Sequence, residues 1–348
     1  MRWDNLRPSA TGEGDSAPAL IPRGAVVRTF DTPEFRGITF YEVQARSIIN
    51  RVPGSSRVPF EWTINPYRGC SHACVYCFAR KSHTYLDLDA GRDFDSKIIV
   101  KVNAAELARR ELAAPRWRAA AGRPHIALGA NVDCYQRAEG RYRLMPGILR
   151  ALIDAAQPFS ILTKGSLILR DLELLTEAAH VTGVQANVSV GFTDERAWRP
   201  VEPGTPSPRK RLEVCATLNE HGVGCGVLMA PILPYLTDSP AQLERTVRAI
   251  AEAGATHVTP IVLHLRPGAR EWFMAWLSRE HPRLVPRYLE LYGRGAYAPR
   301  AYQERVAATV RELAERHGVG RSAARPAHAG SAPPPAAPAP GAEQLTLL

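Results

Sequence analysis

The sequence predicts an α/β fold built on six parallel strands, a partial (β/α)6 barrel with a C-terminal helical extension and disordered termini. Three observations predict it. Short apolar runs alternate six times with stretches of helical periodicity. Serine–proline pairs and glycines stand where such helices begin and end. The chain has 348 residues and a hydrophobic fraction of 45%, enough for one barrel-sized unit with a sizeable core.

The strand-like runs are 61–65, 126–130, 159–163, 185–191, 222–230 and 257–263. Apolar positions at helical spacing fill 104–112, 146–156, 171–179, 208–221, 240–253 and 282–292. Pro208 and Pro240 suit a first helical turn, and Ser207 and Ser239 before them are candidate caps. Gly222 and Gly254 stand where helices end. Six such repeats imply a parallel sheet, open or curled toward a barrel. After Leu265 the pattern turns helical, through Trp272, Phe273, Trp276 and Leu277 to Leu313, and a helical cap is expected there.

The domain reading follows. Residues 1–24, rich in Gly, Pro, Ser and Ala, form a flexible arm; 25–265 form the core with an N-terminal extension; 266–317 form the helical region. Residues 318–348 form a Pro/Ala-rich tail that cannot bury a core. The net charge of +10 favours an anionic partner, nucleic acid first, although an arginine-rich composition alone also produces it. The N-terminus lacks an apolar run of signal-peptide length, and no stretch reaches the roughly 18 apolar residues of a membrane span. A cytoplasmic location with no membrane partner is the resulting expectation. Six cysteines in such a chain argue for metal or redox chemistry rather than a disulfide scaffold.

The decisive segment is Asn65-Pro66-Tyr67-Arg68-Gly69-Cys70-Ser71-His72-Ala73-Cys74-Val75-Tyr76-Cys77, directly after the first strand. The C-terminal end of a barrel strand is where active sites of such folds lie. Its C-x3-C-x2-C spacing places three soft thiolates on one tight loop, which selects an iron–sulfur cluster or zinc. Ferredoxin runs add a nearby fourth cysteine, whereas the next one here, Cys134, lies more than fifty residues on. Three ligands on a four-iron cube leave one iron open. Two other readings stand beside this: a zinc site with His72 as a poorly placed fourth ligand, and a structural cluster closed by Cys134, Cys215 or Cys225.

On these residues the chain resembles the radical S-adenosylmethionine (radical SAM) superfamily. Its surrounding text, Asn65-Pro66-Tyr67-Arg68-Gly69-Cys70 and Tyr76-Cys77-Phe78-Ala79-Arg80, resembles the branch related to spore photoproduct lyase. The resemblance runs from about Thr29 to Gly318 and implies a barrel of radical SAM type. It implies a [4Fe–4S] cluster on Cys70, Cys74 and Cys77, with S-adenosylmethionine on the open iron and Tyr76 beside the adenine. It also implies an electron from flavodoxin or ferredoxin, a 5′-deoxyadenosyl radical, and a lyase-like role in DNA repair. The turn Gly129-Ala130-Asn131-Val132-Asp133-Cys134-Tyr135-Gln136 resembles the branch's cofactor turn, with Asn131 and Asp133 as acceptors for the methionine ammonium. The branch has proline where Cys134 stands; a thiol there is a candidate hydrogen donor to a product radical, against the plainer reading of a buried cysteine.

Further candidates lie where later strands should end. Thr163 and Lys164 close the third strand, and Lys164 suits a carboxylate or an anionic substrate. Ser189 closes the fourth and suits a ribose or carboxylate oxygen. The proline-rich stretch from Trp198 to Arg211 resembles a loop over the cofactor, with Arg211 pairing the methionine carboxylate. Each could instead be a solvated strand end or an exposed helix charge. Ala230-Pro231-Ile232-Leu233-Pro234-Tyr235 resembles the adenine-binding strand end. Two rival functions remain open at this point. One is a radical SAM enzyme acting on RNA, a peptide or a small metabolite. The other is a non-enzymatic iron–sulfur or zinc module that binds nucleic acid.

The last residues, Gln344-Leu345-Thr346-Leu347-Leu348, resemble the peptide by which bacterial repair proteins hold the DNA sliding clamp, although the usual motif ends in phenylalanine. A tethered peptide raises local concentration at DNA. Deletion of residues 344–348 is expected to abolish clamp binding in a direct affinity measurement; unchanged affinity would refute this role.

Overall fold

The computed structural model describes residues 6–8, 21, 25–53, 58–118 and 123–320. The tail from 321 onward, with the clamp-like tip, and most of the 1–24 arm lie outside the described residues.

Two sheets organise the chain. Strands β1 (Leu6–Pro8), β2 (Val26–Thr29), β3 (Thr39–Ala45), β6 (Tyr67–Arg68) and β7 (Lys97–Lys101) form the smaller one. The larger has β4 (Ile49–Arg51), β5 (Trp62–Ile64), β8 (Ile126–Leu128), β9 (Phe159–Thr163), β10 (Gln185–Ser189), β11 (Cys225–Ile232) and β12 (Val258–Val262), in the order β12-β11-β10-β9-β8-β5-β4. From β5 to β12 every pairing is parallel; β4 adds an antiparallel edge. The six parallel strands are the six expected from the sequence.

Parallel strands need long crossovers, and helices supply them. Ala104–Leu112, Leu144–Asp154, Leu172–Val181, Pro208–Glu220 and Pro240–Glu252 cover the outer face. Ser207 accepts from the Lys210 N–H, and Ser239 forms a reciprocal capping box with Gln242. Gly222 and Gly254 take positive φ (76° and 66°) just past these helices. Ala186 and Val188 on β10, with Val227 and Met229 on β11, are fully or almost fully buried beneath the helices. The alternate residues Asn187, Leu228 and Ala230 are only partly buried and face the concave side.

The sheet is curled. The exits of β5 and β12, first and last of the parallel set, meet: a Cβ on Gly268 would lie 3.0 Å from Lys81 Cβ, and the Arg266 guanidinium is 5.8 Å from the Phe78 ring. Yet among the described residues β12 pairs only with β11, so the cylinder remains open on one side.

The smaller sheet clamps the root of the cysteine loop. β6 pairs antiparallel with β7, and the Cys70 N–H donates to the Phe94 carbonyl at 2.9 Å. At the other end, helices Ala269–Glu280, Val285–Tyr292 and Arg300–His317 follow β12. Three tyrosine hydroxyls fix them to strand exits: Tyr288 donates to the Pro234 carbonyl and Tyr292 to that of Leu263, each at 2.7 Å, and Tyr302 donates to Asp238. Phe273 packs against both Trp276 and Tyr288, with centroids 5.3 and 5.5 Å apart.

Candidate functional site

All six parallel strands point their C-terminal ends the same way, so the loops that follow converge on one rim. The cysteine loop after β5 has no regular structure, and tethers from neighbouring loops set its course. Gln136, in the exit of β8, accepts from the Ser71 N–H (3.0 Å) and donates to the Gly69 carbonyl (2.9 Å). Arg80, fully buried, donates from Nε and Nη2 to the Cys74 carbonyl (3.2 and 2.9 Å) and from Nη2 to Asp95 (2.8 Å). From the segment between β10 and β11, Gly204 donates its N–H to the His72 carbonyl (3.0 Å), and Val201 accepts from the Val75 N–H (3.0 Å). The backbones touch so closely that a Cβ on Gly204 would lie 2.1 Å from the Ser71 carbonyl oxygen, so only glycine fits.

The three thiols share one buried pocket of charge. Cys70 and Cys74 are each 7% exposed, and Cys77 is partly buried. Burial pushes all three thiols upward, Cys74 to about 12, and their mutual repulsion adds to this for Cys70 and Cys74. The other three cysteines lie elsewhere. Cys134, fully buried, borders Tyr67, Glu139 and Asp171. Cys215 packs its sulfur 3.6 Å from the Cys225 carbonyl oxygen. Among the described residues no three His, Cys, Asp or Glu side chains converge as ligands of a single ion would. Three soft thiols on one loop, with the other cysteines occupied elsewhere, form a donor set that fits a cluster held by three protein ligands.

Two buried networks flank the loop. In the first, Glu202 accepts from Tyr76 on one oxygen and from Arg211 on the other. Arg211 also donates to the carbonyls of Pro206 (3.1 Å) and Ser189 (2.7 Å). Both ends of the ion pair are 1% exposed. Burial alone would raise the Glu202 carboxyl; Arg211 and Lys164 outweigh it and hold it below its ordinary value. Lys164 lies 5.7 Å from the Tyr76 ring centroid. Burial would lower its ammonium, but the neighbouring acidic groups, Cys74 and Glu202 foremost, raise it instead. Among the described residues its Nζ donates no hydrogen bond.

In the second network Asp133 accepts four contacts. Oδ1 takes the Thr163 hydroxyl (2.6 Å) and the Tyr135 N–H (2.9 Å); Oδ2 takes the Lys164 N–H (2.6 Å) and faces His72 Nδ1 at 3.3 Å. Burial opposes ionisation here, but His72 and these donors hold the carboxyl down at about 2. The structure therefore brings Tyr76, Lys164 and Arg211 together around Glu202, and Asp133 together with Thr163 beside His72. Ser189 adjoins Arg211, but its hydroxyl donates to the Ala230 carbonyl at 2.9 Å. Asn131 is exposed. Asp133 and Arg211, read from sequence as cofactor contacts, already spend much of their hydrogen-bonding capacity on holding loops. Sequence reasoning missed the tethering roles of Gln136, Arg80, His72 and Glu202; the partners of Gln136, His72 and Glu202 are remote in the chain, and that of Arg80, the Cys74 carbonyl, is a backbone group with no sequence signature.

The family model described as the radical SAM superfamily matches residues 64–250. An uncharacterized protein of Mycobacterium tuberculosis is 49% identical over 315 residues, covering 90% of this chain and 92% of its own length. Among solved structures, spore photoproduct lyase complexed with dinucleoside spore photoproduct superposes with a TM-score of 0.60 at 18% identity, over 81% of this chain and 80% of that one. A variant of that lyase with bound AdoMet and dinucleoside spore photoproduct gives 0.57 at 18% identity, over 76% of each.

Removing one member of a buried ion pair strands the other, at about 3–5 kcal/mol. Arg211→Ala is expected to destabilise the protein by about that amount in chemical denaturation, and a loss below about 1 kcal/mol would contradict the pairing. The thiols give a pH dependence. In cluster-free protein Cys74 stays protonated from its ordinary value of 9.0 up to about 12, so its contribution to stability is complete below 9 and is lost as pH rises toward 12. Alkylation of Cys74 by iodoacetamide, followed by mass spectrometry, is expected to be slow at pH 8 and to accelerate steadily above pH 9. A rate already at its plateau by pH 8 would contradict the burial effect.

Proposed function

This chain belongs to the radical SAM superfamily, and we propose that it is an enzyme that uses S-adenosylmethionine at a [4Fe–4S] cluster to act on damaged DNA in a lyase-like reaction. One observation carries the reading: three neighbouring thiols, two buried and one partly buried, sit at the C-terminal rim of a curled parallel sheet, without a fourth cysteine beside them.

Cys70, Cys74 and Cys77 would hold the cluster. When bound, cluster and S-adenosylmethionine together supply reductive cleavage to methionine and a 5′-deoxyadenosyl radical that abstracts hydrogen from a substrate. The protein contributes position and charge. Gln136, Arg80 and Gly204 hold the loop, so that the thiols face inward before any ligand arrives. Lys164, with its ammonium free of hydrogen bonds among the described residues, is the cation best placed to meet the methionine carboxylate, and Arg211 acts behind it by fixing Glu202 and Tyr76. The exit of β11, Ala230 to Tyr235, is the proposed place of the adenine; there the carbonyls of Ala230 and Pro234 already accept from Ser189 and Tyr288. Burial of Cys70, Cys74, Tyr76, Glu202 and Arg211 keeps bulk water from these groups and strengthens the charge interactions among them. Cys134 packs behind the turn, where its role is to fill space beside Tyr67 and Glu139.

The choice of DNA rests on three supports: sequence resemblance to the spore photoproduct lyase branch, a fold like that of a lyase solved with a dinucleoside lesion, and the net charge of +10. A flavodoxin or ferredoxin is the proposed electron donor. Anaerobic reconstitution is expected to give about four irons per chain and, on reduction, methionine and 5′-deoxyadenosine. Alanine at Cys70, Cys74 or Cys77 is expected to abolish both, whereas Cys134→Ala should retain the iron. Preferential uptake of zinc would overturn the enzymatic reading. With S-adenosylmethionine deuterated at C5′, label is expected to exchange with ultraviolet-damaged DNA. Exchange into RNA, peptide or metabolite alone would overturn the choice of DNA and leave the radical chemistry standing.

A further inference from the structure

Where the exits of β5 and β12 meet, the surface carries an unusual grouping. Phe78, the residue after Cys77, is 46% exposed, and Tyr297 is 40% exposed. Large aromatic rings exposed to this degree are uncommon among the described residues, and these two flank one cation. The Arg266 guanidinium lies 5.8 Å from the Phe78 centroid and 6.0 Å from that of Tyr297, and it donates to the Tyr297 hydroxyl at 3.0 Å. His264 packs edge-on to Tyr297 at 4.6 Å, and a backbone bridge ties the two residues. Arg270 donates to the carbonyls of Gly293 and Gly295, which sets the loop that presents Tyr297. The grouping is therefore built rather than incidental.

Its charge is one-sided. Arg266, Arg270 and Arg294 have no carboxylate partner among the described residues, whereas Arg279 and Arg300 farther along are paired with Glu280 and Glu304. Glu271, a few residues along the chain from Arg266, accepts from the Gly268 N–H at 2.6 Å. Exposed rings interleaved with unpaired guanidinium groups match the chemistry of a single nucleic-acid strand: every base offers a face for stacking, and every phosphate offers a negative charge. A duplex hides its base faces and presents phosphates and the base edges in its grooves.

We propose that Phe78, Arg266 and Tyr297 form a stacking clamp for an unpaired or extruded nucleotide, held at the open side of the barrel one residue from the cluster loop. The clamp rests on the nucleic-acid reading above and makes it specific: the enzyme takes a base out of the helix instead of reading an intact duplex.

The reconstituted full chain is titrated with a single strand of about 12 nucleotides carrying one 2-aminopurine, and with the same strand in duplex form, at low salt. The single strand is expected to bind more tightly, with quenched 2-aminopurine fluorescence. Tyr297→Ala and Arg266→Ala are expected to weaken single-strand binding by about fivefold or more and to relieve the quenching, with little effect on the duplex. Phe78→Leu tests the ring without removing apolar volume, and iron content in every variant reports that the fold and cluster survive. Variants that bind and quench like the unmodified protein would overturn the clamp while leaving nucleic-acid binding intact. Equal losses for duplex and single strand would reduce the patch to bare charge and likewise overturn it. Slower reduction by flavodoxin in Arg266→Ala, with oligonucleotide binding unchanged, would assign the patch to the electron carrier. No binding of either oligonucleotide by the unmodified protein would overturn both the clamp and the reading beneath it.

Discussion

A loop without helix or strand must hold three thiols at depth, and no local hydrogen-bond ladder can do that. Two turn hydrogen bonds lie within the cysteine loop, Ala73 N–H to the Cys70 carbonyl and Cys77 N–H to that of Cys74; its other backbone groups are held from outside, by Gln136, by Arg80 and by the Val201–Gly204 segment. Each tether comes from a different part of the chain, so the loop takes its shape only once the barrel and its N-terminal sheet have formed. The dependence also runs outward. Arg80 ties the loop to Asp95 beside β7, and Gln136 ties it to the turn that Asp133 organises. A change at any of these points reaches the sulfurs through one or two hydrogen bonds.

Charge is handled in the same way. Glu202 and Arg211 are both deeply buried, and an ion pair there is at best weakly stabilising once desolvation is counted. What it supplies is orientation: Glu202 sets the Tyr76 ring, and Arg211 fixes the carbonyls of Ser189 and Pro206. Lys164 sits beside this neutralised pair and the thiols, so its positive charge is the one left over. In the cluster-free protein the thiols are neutral, and loading the cluster requires them to give up protons, which couples metal uptake to pH.

The architecture was legible because its signals are periodic and local. All six parallel strands and their main crossover helices follow from apolar runs, and Ser207, Ser239, Gly222 and Gly254 mark boundaries that the structure reproduces. The smaller sheet was not foreseen. Residues 97–101, Lys-Ile-Ile-Val-Lys, look like a strand on their own, but nothing in that run says it pairs in parallel with 39–45 far upstream. The site divides similarly. Cys70, Cys74 and Cys77 announce themselves by spacing, and Tyr76 by its place between them. The partnership of Tyr76 with Glu202, or of Gly69 with Gln136, spans a long stretch of sequence and has no local signature. Arg211 was singled out as a charge in the right loop, but its engagement with Glu202 depends on packing that only the assembled rim creates.

The unclosed cylinder has a topological consequence. A sealed barrel admits only what fits through its mouth, so a polymer would have to be threaded by an end. Here the strand ladder is interrupted: among the described residues β12 has no strand partner beyond β11, and side chains rather than strand hydrogen bonds join the exits of β5 and β12. Side-chain contacts can part without breaking a strand ladder, so a long molecule need not be threaded by an end. What reaches the sulfurs then depends on the residues that span the gap, Phe78, Lys81 and Arg266 among them.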